Sequence, residues 1–215
     1  MTTSSPKHAT TASRPHAPNH HAEYPAFKGP SGLFAGLSML AGRGTATRLA
    51  IELASVTDGD RVVDIGCGPG AAARAAARRG ARVIGVDPAP VMLALARRAT
   101  RRTIPVTWKL GNAESLPIAD AAATVVWAIA TVHHWRDLEL GLAEVRRVLA
   151  PLGRLVVLER RVADGTAGHA SHGWTDSRAD AFGAICRTAG FADVEVANRQ
   201  TGKSSLLAVT ARGAA

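Results

Sequence analysis

Cysteine is scarce in this chain of 215 residues, which holds only Cys67 and Cys186. Two cysteines cannot build a disulfide framework. With one in a glycine-rich turn and the other in a predicted helix, both are expected to be reduced and the protein cytoplasmic. Long apolar runs are missing too. The longest, residues 121–132, spans 12 positions, a length that suits a buried strand and its flanks and excludes a membrane span. Residues 32–42 faintly imitate a signal peptide behind Lys28, but they lie too deep in the chain, after a segment rich in Pro and His. Internal repeats are absent. No cysteine or carboxylate pair has metal-ligand spacing, so no metal site is expected.

What is present divides into two materials. Residues 1–30 read as a polar tail, with Ser, Thr, Pro and His and no hydrophobic period over residues 1–21. His8, His16, His20 and His21 are expected to be solvated there. Residues 31–215 read as one domain. The formal net charge of +9 and sequence pI near 10.9 invite a nucleic-acid partner. Position argues otherwise. Between residues 71 and 110 stand nine cations, Arg74, Arg78, Arg79, Arg82, Arg97, Arg98, Arg101, Arg102 and Lys109, against the single carboxylate Asp87. Most fall at the C-terminal ends of two predicted helices, where cations complement the helix dipole by about 0.3–1 kcal/mol each. In a doubly wound sheet that edge is opposite the ligand crevice. Nucleic acid is therefore an unlikely partner, and nothing in the sequence fixes the oligomeric state.

The densest information lies in Val62-Val63-Asp64-Ile65-Gly66-Cys67-Gly68-Pro69-Gly70. A short apolar run predicts a buried strand, the glycines a tight turn, and the alanines from Ala71 a helix. Such a turn lets backbone approach a ligand closely, and the helix N-terminus adds unpaired N–H groups. Asp87 ends the next strand-like run, roughly 20 residues on, where an acidic side chain can accept from ribose hydroxyls. A dinucleotide fingerprint spaces its glycines differently, as G-x-G-x-x-G, and Asp64 beside the turn would repel a pyrophosphate. A nucleoside-bearing cationic ligand suits it better. The bland alternative is that Asp64 only caps the turn.

Strands are predicted at 61–65, 82–86, 105–110, 123–128 and 153–159, and helices at 70–79, 90–101, 137–149 and 176–189. Pro90 suits a first helical turn, Asp137 an N-cap, and Gly80 and Gly190 helix stops. One or two short helices are expected over residues 33–56, broken near Gly42-Arg43-Gly44, with Thr45 as an N-cap. Strands near 193–198 and 204–210, joined at Gly202-Lys203, read as a hairpin. Alternating strands and helices imply an α/β fold: a Rossmann-like doubly wound sheet, mostly parallel, with one antiparallel strand from the hairpin.

Five motifs in order resemble one family. Val63 to Gly70 is similar to motif I of the class I S-adenosylmethionine-dependent methyltransferases, and Val83-Ile84-Gly85-Val86-Asp87-Pro88-Ala89-Pro90-Val91-Met92 to their second motif. Gly111-Asn112-Ala113-Glu114-Ser115-Leu116-Pro117 resembles Gly-Asp-Ala-Glu-x-Leu-Pro. Val132-His133-His134-Trp135-Arg136-Asp137 resembles Leu-His-His-x-x-Asp, and Val148 to Leu155 resembles Val-Leu-Lys-Pro-Gly-Gly-x-Leu. The resemblance implies a seven-stranded sheet and S-adenosylmethionine as cofactor. It implies that Asp64 with Gly66, Cys67, Gly68 and Gly70 holds the methionine part and that Asp87 and Pro88 flank the ribose. It also implies that Met92, Asn112 and Ala113 meet the adenine, that Glu114 belongs to the same cofactor site and that Ala128 faces the methyl end. Asn112 and Thr124 replace aspartates usual in the family. Asn112 keeps an acceptor oxygen without the charge, and Thr124 reads as structural.

His133 and His134 follow the fourth strand, beside the expected transfer point, and are the candidate general bases. The alternative is that one packs and the other bonds to backbone. Residues 162–174, with His169, His172 and Trp174, are expected to form a mobile loop that closes over an acceptor together with residues 34–39. The leading expectation is methylation of a small molecule at O, N or an activated C. An RNA or protein methyltransferase is the second reading, weakened by the lack of an Asn/Asp-Pro-Pro-Tyr run and of a separate RNA-binding module. A non-catalytic cofactor-binding scaffold is the third.

Overall fold

The computed structural model describes residues 17–22, 44–202 and 204–214, the side chains of His169 and Ala170 excepted. Among them, seven strands form one sheet in the order β3-β2-β1-β4-β5-β7-β6. In chain order the elements are α1 (Gly44–Leu53), β1 (Arg61–Ile65), α2 (Ala71–Ala77), β2 (Arg82–Asp87), α3 (Pro90–Ala99), β3 (Val106–Leu110) and β4 (Ala123–Ile129). A 3-10 turn, Val132–His134, follows, then α4 (Leu138–Val148), β5 (Leu149–Arg160), a second 3-10 turn (Gly168–Ser171), α5 (Asp176–Thr188), β6 (Ala192–Thr201) and β7 (Ser204–Arg212). Strands β1 to β5 pair in parallel, and β7 runs antiparallel to both β5 and β6. The sheet thus has the single reversed strand that the hairpin predicted.

The strands are apolar on both faces because helices cover both. On β4, Val126 and Ala128 enter one cluster with Leu142, Val145 and Phe182, while Val125, Trp127 and Ile129 enter the other with Leu49, Ala73 and Ala76. Helix α2 is nearly all alanine, and small side chains let it lie close against β1 and β2.

Local signals explain most boundaries. Pro90 opens α3, and the Asp137 carboxylate accepts the Leu140 N–H at 3.0 Å at the start of α4. Gly80 and Gly190 adopt φ of 95° and 84° where chains leave α2 and α5. Two boundaries differ from expectation. Strand β5 starts at Leu149 rather than 153, because Leu149 pairs with Ala123 before the register shifts and residues 150–153 bulge out. Thr45 lies within helix α1 instead of capping it. Residues 33–43, and the closing segment expected at 34–39, lie outside the described residues.

A larger correction concerns the tail. Residues 17–22 pack on the domain: the Trp174 indole N–H donates to the Pro18 carbonyl at 2.7 Å, and the His21 N–H to the His133 carbonyl at 2.9 Å. His21 is 4% exposed, not solvated. A hexapeptide with one proline and no hydrophobic period carries no sequence signal for docking, since its partners lie more than 100 residues away. Residues 1–16 and 23–30 lie outside the described residues. No helix among the described residues is long and apolar enough to cross a membrane.

Candidate active site

Chain connections leave β1 and β4 in opposite directions across the sheet, so the crevice beyond their carboxyl ends is the place for a ligand. The loop after β1 is the glycine turn. Gly66, Gly68 and Gly70 all take left-handed φ values of 65°, 53° and 77°. A Cβ on Gly66 would meet Thr131 Oγ1 at 2.1 Å, and one on Gly70 the Trp108 ring at 2.1 Å, whereas Gly68 faces open space. Two glycines thus allow packing and the middle one leaves room for a ligand.

Buried groups brace this turn. Asp87 is 6% exposed, its Oδ2 accepting the Gly68 N–H at 2.8 Å and its Oδ1 the Ala89 N–H at 2.9 Å. The carboxylate therefore fixes the turn as well as facing the crevice, a role that its spacing did not reveal. Arg74 is not a solvated helix-end cation: it is buried and donates to the Pro69 carbonyl at 2.6 Å. Burial lowers its pKa, with Arg78 adding to the shift. Trp108 lies over Gly70 and Gly85 and was not anticipated, because β3 reads as an edge strand with no motif. Asp64 is 2% exposed and lines a small cavity with Thr47, Gly66, Cys67, Pro69 and Ile129. Burial pushes the Cys67 thiol well above its usual pKa, and the Asp64 and Asp87 carboxylates push it further, so it stays protonated.

The other implied residues are spread along the same edge. Met92 and Ala128 are fully buried, in α3 and β4, and Ala113 is buried in the core. Pro88 and Asn112 are exposed, and Asn112 bridges to Ser115. Glu114 accepts the Arg136 N–H at 2.7 Å and the Asp137 N–H at 3.3 Å, so it ties its own loop to the loop before α4. Thr124 sits at the opposite end of the sheet. Its hydroxyl donates to Asp60 at 2.7 Å beside Arg154, in keeping with the structural reading.

Beyond β4 the chain turns at Ala130, whose φ of 53° is strained for a residue with a Cβ. This turn delivers His133 into a chamber that sequence reasoning did not assemble. His133 Nδ1 lies 2.8 Å from Glu159 Oε2, with the pair 3% and 0% exposed. Burial pushes the Glu159 carboxyl up, but the His133 ring and N–H groups outweigh it and hold the carboxyl below its ordinary range. His21, His134 and His172 close around His133, with ring centroids 4.1 Å apart for His133 and His134 and 4.4 Å for His21 and His172. Burial draws the His134 pKa down to about 4, with the His133 ring next in effect. His21 is also drawn to about 4, by burial and then by His20 and His172.

The loop after β5 is anchored where mobility was expected. Trp174 is fully buried against Phe182, and the Trp174 and Arg160 backbones bond at 2.8 Å. Only Glu159 had a legible hint, as a lone acid inside an apolar strand.

Known proteins resemble this chain in sequence and in fold. A family described as "Methyltransferase domain" matches residues 63–157. A demethylmenaquinone methyltransferase of Tropheryma whipplei is 38% identical over 112 residues, 52% of this chain and 46% of that protein. The chain spans about half the length of the curated relatives it matches. A crystal structure of an S-adenosylmethionine-dependent methyltransferase from Aquifex aeolicus superposes with a TM-score of 0.69 at 16% identity, covering 84% of this chain and 97% of that one. A phosphoethanolamine N-methyltransferase of Haemonchus contortus in complex with S-adenosylmethionine gives 0.72 at 18% identity, covering 93% and 60%.

Proposed function

We propose that this chain is a class I S-adenosylmethionine-dependent methyltransferase and that it methylates a small-molecule acceptor carrying an acidic hydroxyl or a carbon activated by one. The observation that carries the reading is the buried His133–Glu159 pair at the carboxyl end of β4, beside the glycine turn. The cofactor fits the other half of the crevice. Two buried carboxylates, Asp64 and Asp87, suit a ligand with a cationic methionine end and ribose hydroxyls, and the open face of Gly68 lets it approach backbone.

When bound, the cofactor supplies an activated methyl group for in-line displacement by an acceptor nucleophile. The chain's residues orient the reactants and manage the proton. Asp64 and the glycine turn hold the methionine part, and Asp87 accepts from the ribose while keeping the turn in place. Met92, Asn112 and Ala113 border the adenine, with Pro88, Glu114 and Ala128 as framework around them. At the acceptor end, Glu159 accepts the His133 Nδ1–H, which leaves Nε2 to accept the acceptor's proton as the new bond to carbon forms. His134, drawn to about 4, is a weaker base near neutrality and serves to shape the chamber. Relatives named as demethylmenaquinone methyltransferases favour a quinone-type ring compound as acceptor, and no separate module for RNA or protein substrates appears among the described residues.

Calorimetric titration with S-adenosylmethionine, followed by transfer to a panel of phenols, quinols and amines, tests this directly. Asp87→Ala is expected to weaken cofactor binding by about 1.5–3 kcal/mol. Binding without transfer to any small molecule would leave only the scaffold reading. Unchanged affinity in Asp87→Ala would remove the ribose assignment.

A further inference from the structure

The four rings that line the acceptor chamber come from three separate stretches of chain, and their chemistry goes beyond one base. His21, His133, His134 and His172 each present a ring nitrogen, and these four atoms all lie within 4.8 Å of one another. Nitrogens around a tetrahedral zinc ion sit about 2.0–2.1 Å from the metal, so a modest inward shift of the rings reaches ligand geometry. His21 and His172 stand outside the helices and strands, while Glu159 on β5 holds His133 from behind.

We propose that these four histidines form a binding site for a divalent first-row metal ion of the zinc type.

Three features support it. Imidazole is a preferred ligand for zinc and its neighbours in the series. His133 also has the partner that metal-ligating histidines commonly have: a buried carboxylate, Glu159, accepts its Nδ1–H and orients the ring with Nε2 toward a ligand. On the far side, the Ser171 hydroxyl lies 3.0 Å from His21 Nε2 and fixes that ring in turn.

Four protein ligands fill a tetrahedral shell, the closed pattern of structural zinc sites. The ion would therefore fasten residues 17–22 and the loop before α5 to the body of the domain. Ligation also takes the His133 nitrogen that would accept a proton, so metal loading and base catalysis exclude each other, and zinc is expected to slow methyl transfer.

Binding can be measured without any acceptor, so this proposal stands or fails apart from the catalytic reading. Full-length protein treated with a chelator and then desalted would be titrated with Zn2+ against a chromophoric competitor, and with Co2+ by visible absorption. The expected result is one ion per chain, an intense tetrahedral Co2+ band, and a Tm that rises with Zn2+. His172→Ala, on a half-exposed loop residue whose loss should leave the fold intact, is expected to weaken binding at least 10–100-fold and to abolish the Tm rise. Glu159→Gln is expected to weaken it by about that factor through loss of ring orientation. Deletion of residues 1–16, which removes His8 and His16, should change neither stoichiometry nor affinity. Equal affinity in wild type and His172→Ala, or loss of binding on deletion of residues 1–16, would overturn the site.

Discussion

The two halves of the crevice are built by opposite strategies. The glycine turn draws on residues close in sequence: Asp64, the three glycines and Asp87 fall within 24 positions, and a single strand-turn-helix-strand unit brings them together. The histidine chamber gathers His21, His133, His134, Glu159 and His172 from the N-terminal segment, the loop after β4, strand β5 and the loop after it. The first half is rigid because the local backbone dictates it. The second half exists only once the whole sheet has formed, and its parts are held by contacts spanning up to 156 residues. Cofactor recognition can therefore be read from a short window of sequence, whereas acceptor handling cannot.

The largest effect that would test this contrast falls in the chamber. His133→Ala is expected to lower turnover by about 10²–10⁴-fold while cofactor affinity, measured by calorimetry, stays near wild type. Full turnover in a folded variant would strip the chamber of its catalytic part.

On the opposite side, Gly66→Ala attacks local geometry. A Cβ there meets Thr131 at 2.1 Å from a left-handed backbone, and a loss of about 2–5 kcal/mol is expected in denaturant unfolding. Adding Thr131→Gly should recover the steric share and leave the backbone share. No recovery would mean that the two loops do not touch.

Truncation sharpens the contrast further. Deleting residues 1–16 should leave Tm unchanged. Deleting 1–22 leaves the buried Trp174 N–H without its acceptor and removes the His21–His133 bond, costing about 1–3 kcal/mol. A Tm lower by roughly 2–10 °C follows for a domain of this size. Identical melting of the two truncations would show that the segment does not dock.

The smallest effect lies at the far end of the sheet, as a control remote from both halves. Burial pushes the Asp60 carboxyl up, but hydrogen bonds from Thr124 and Thr57 and the Arg154 guanidinium outweigh it and hold its pKa below the usual 3.8. A depressed carboxylate contributes stability above its unfolded pKa and loses it as pH falls through the folded value. Thr124→Val removes one of those bonds, so about 0.5–1.5 kcal/mol should be lost at neutral pH. The gap to wild type should shrink below pH ~4. A gap independent of pH would detach Thr124 from the Asp60 charge.

What could be read from sequence follows the same division. The alternation of strands and helices, the single reversed strand, the Asp137 cap and the glycine turn all express local rules, and the structure agrees with them. The docked segment at 17–22, the buried brace at Arg74, Trp108 over the turn and Glu159 behind His133 do not. Each depends on a partner that folding brings near; a lone acid in an apolar strand hints at Glu159, but no neighbour in sequence names the partner. Arg74 shows the limit well: on a helix surface it looks like any other arginine until the Pro69 carbonyl is placed 2.6 Å away.

The contact of Gly66 with Thr131 joins the two strategies. With no space between the glycine turn and the first residue beyond the Ala130 kink, neither loop can move without the other responding. If a ligand on one side of the crevice shifts this contact, it would bias affinity on the other side, and thermodynamic linkage would make that influence equal in both directions. A cofactor that tightens the chamber would in turn bind more tightly when the chamber is filled.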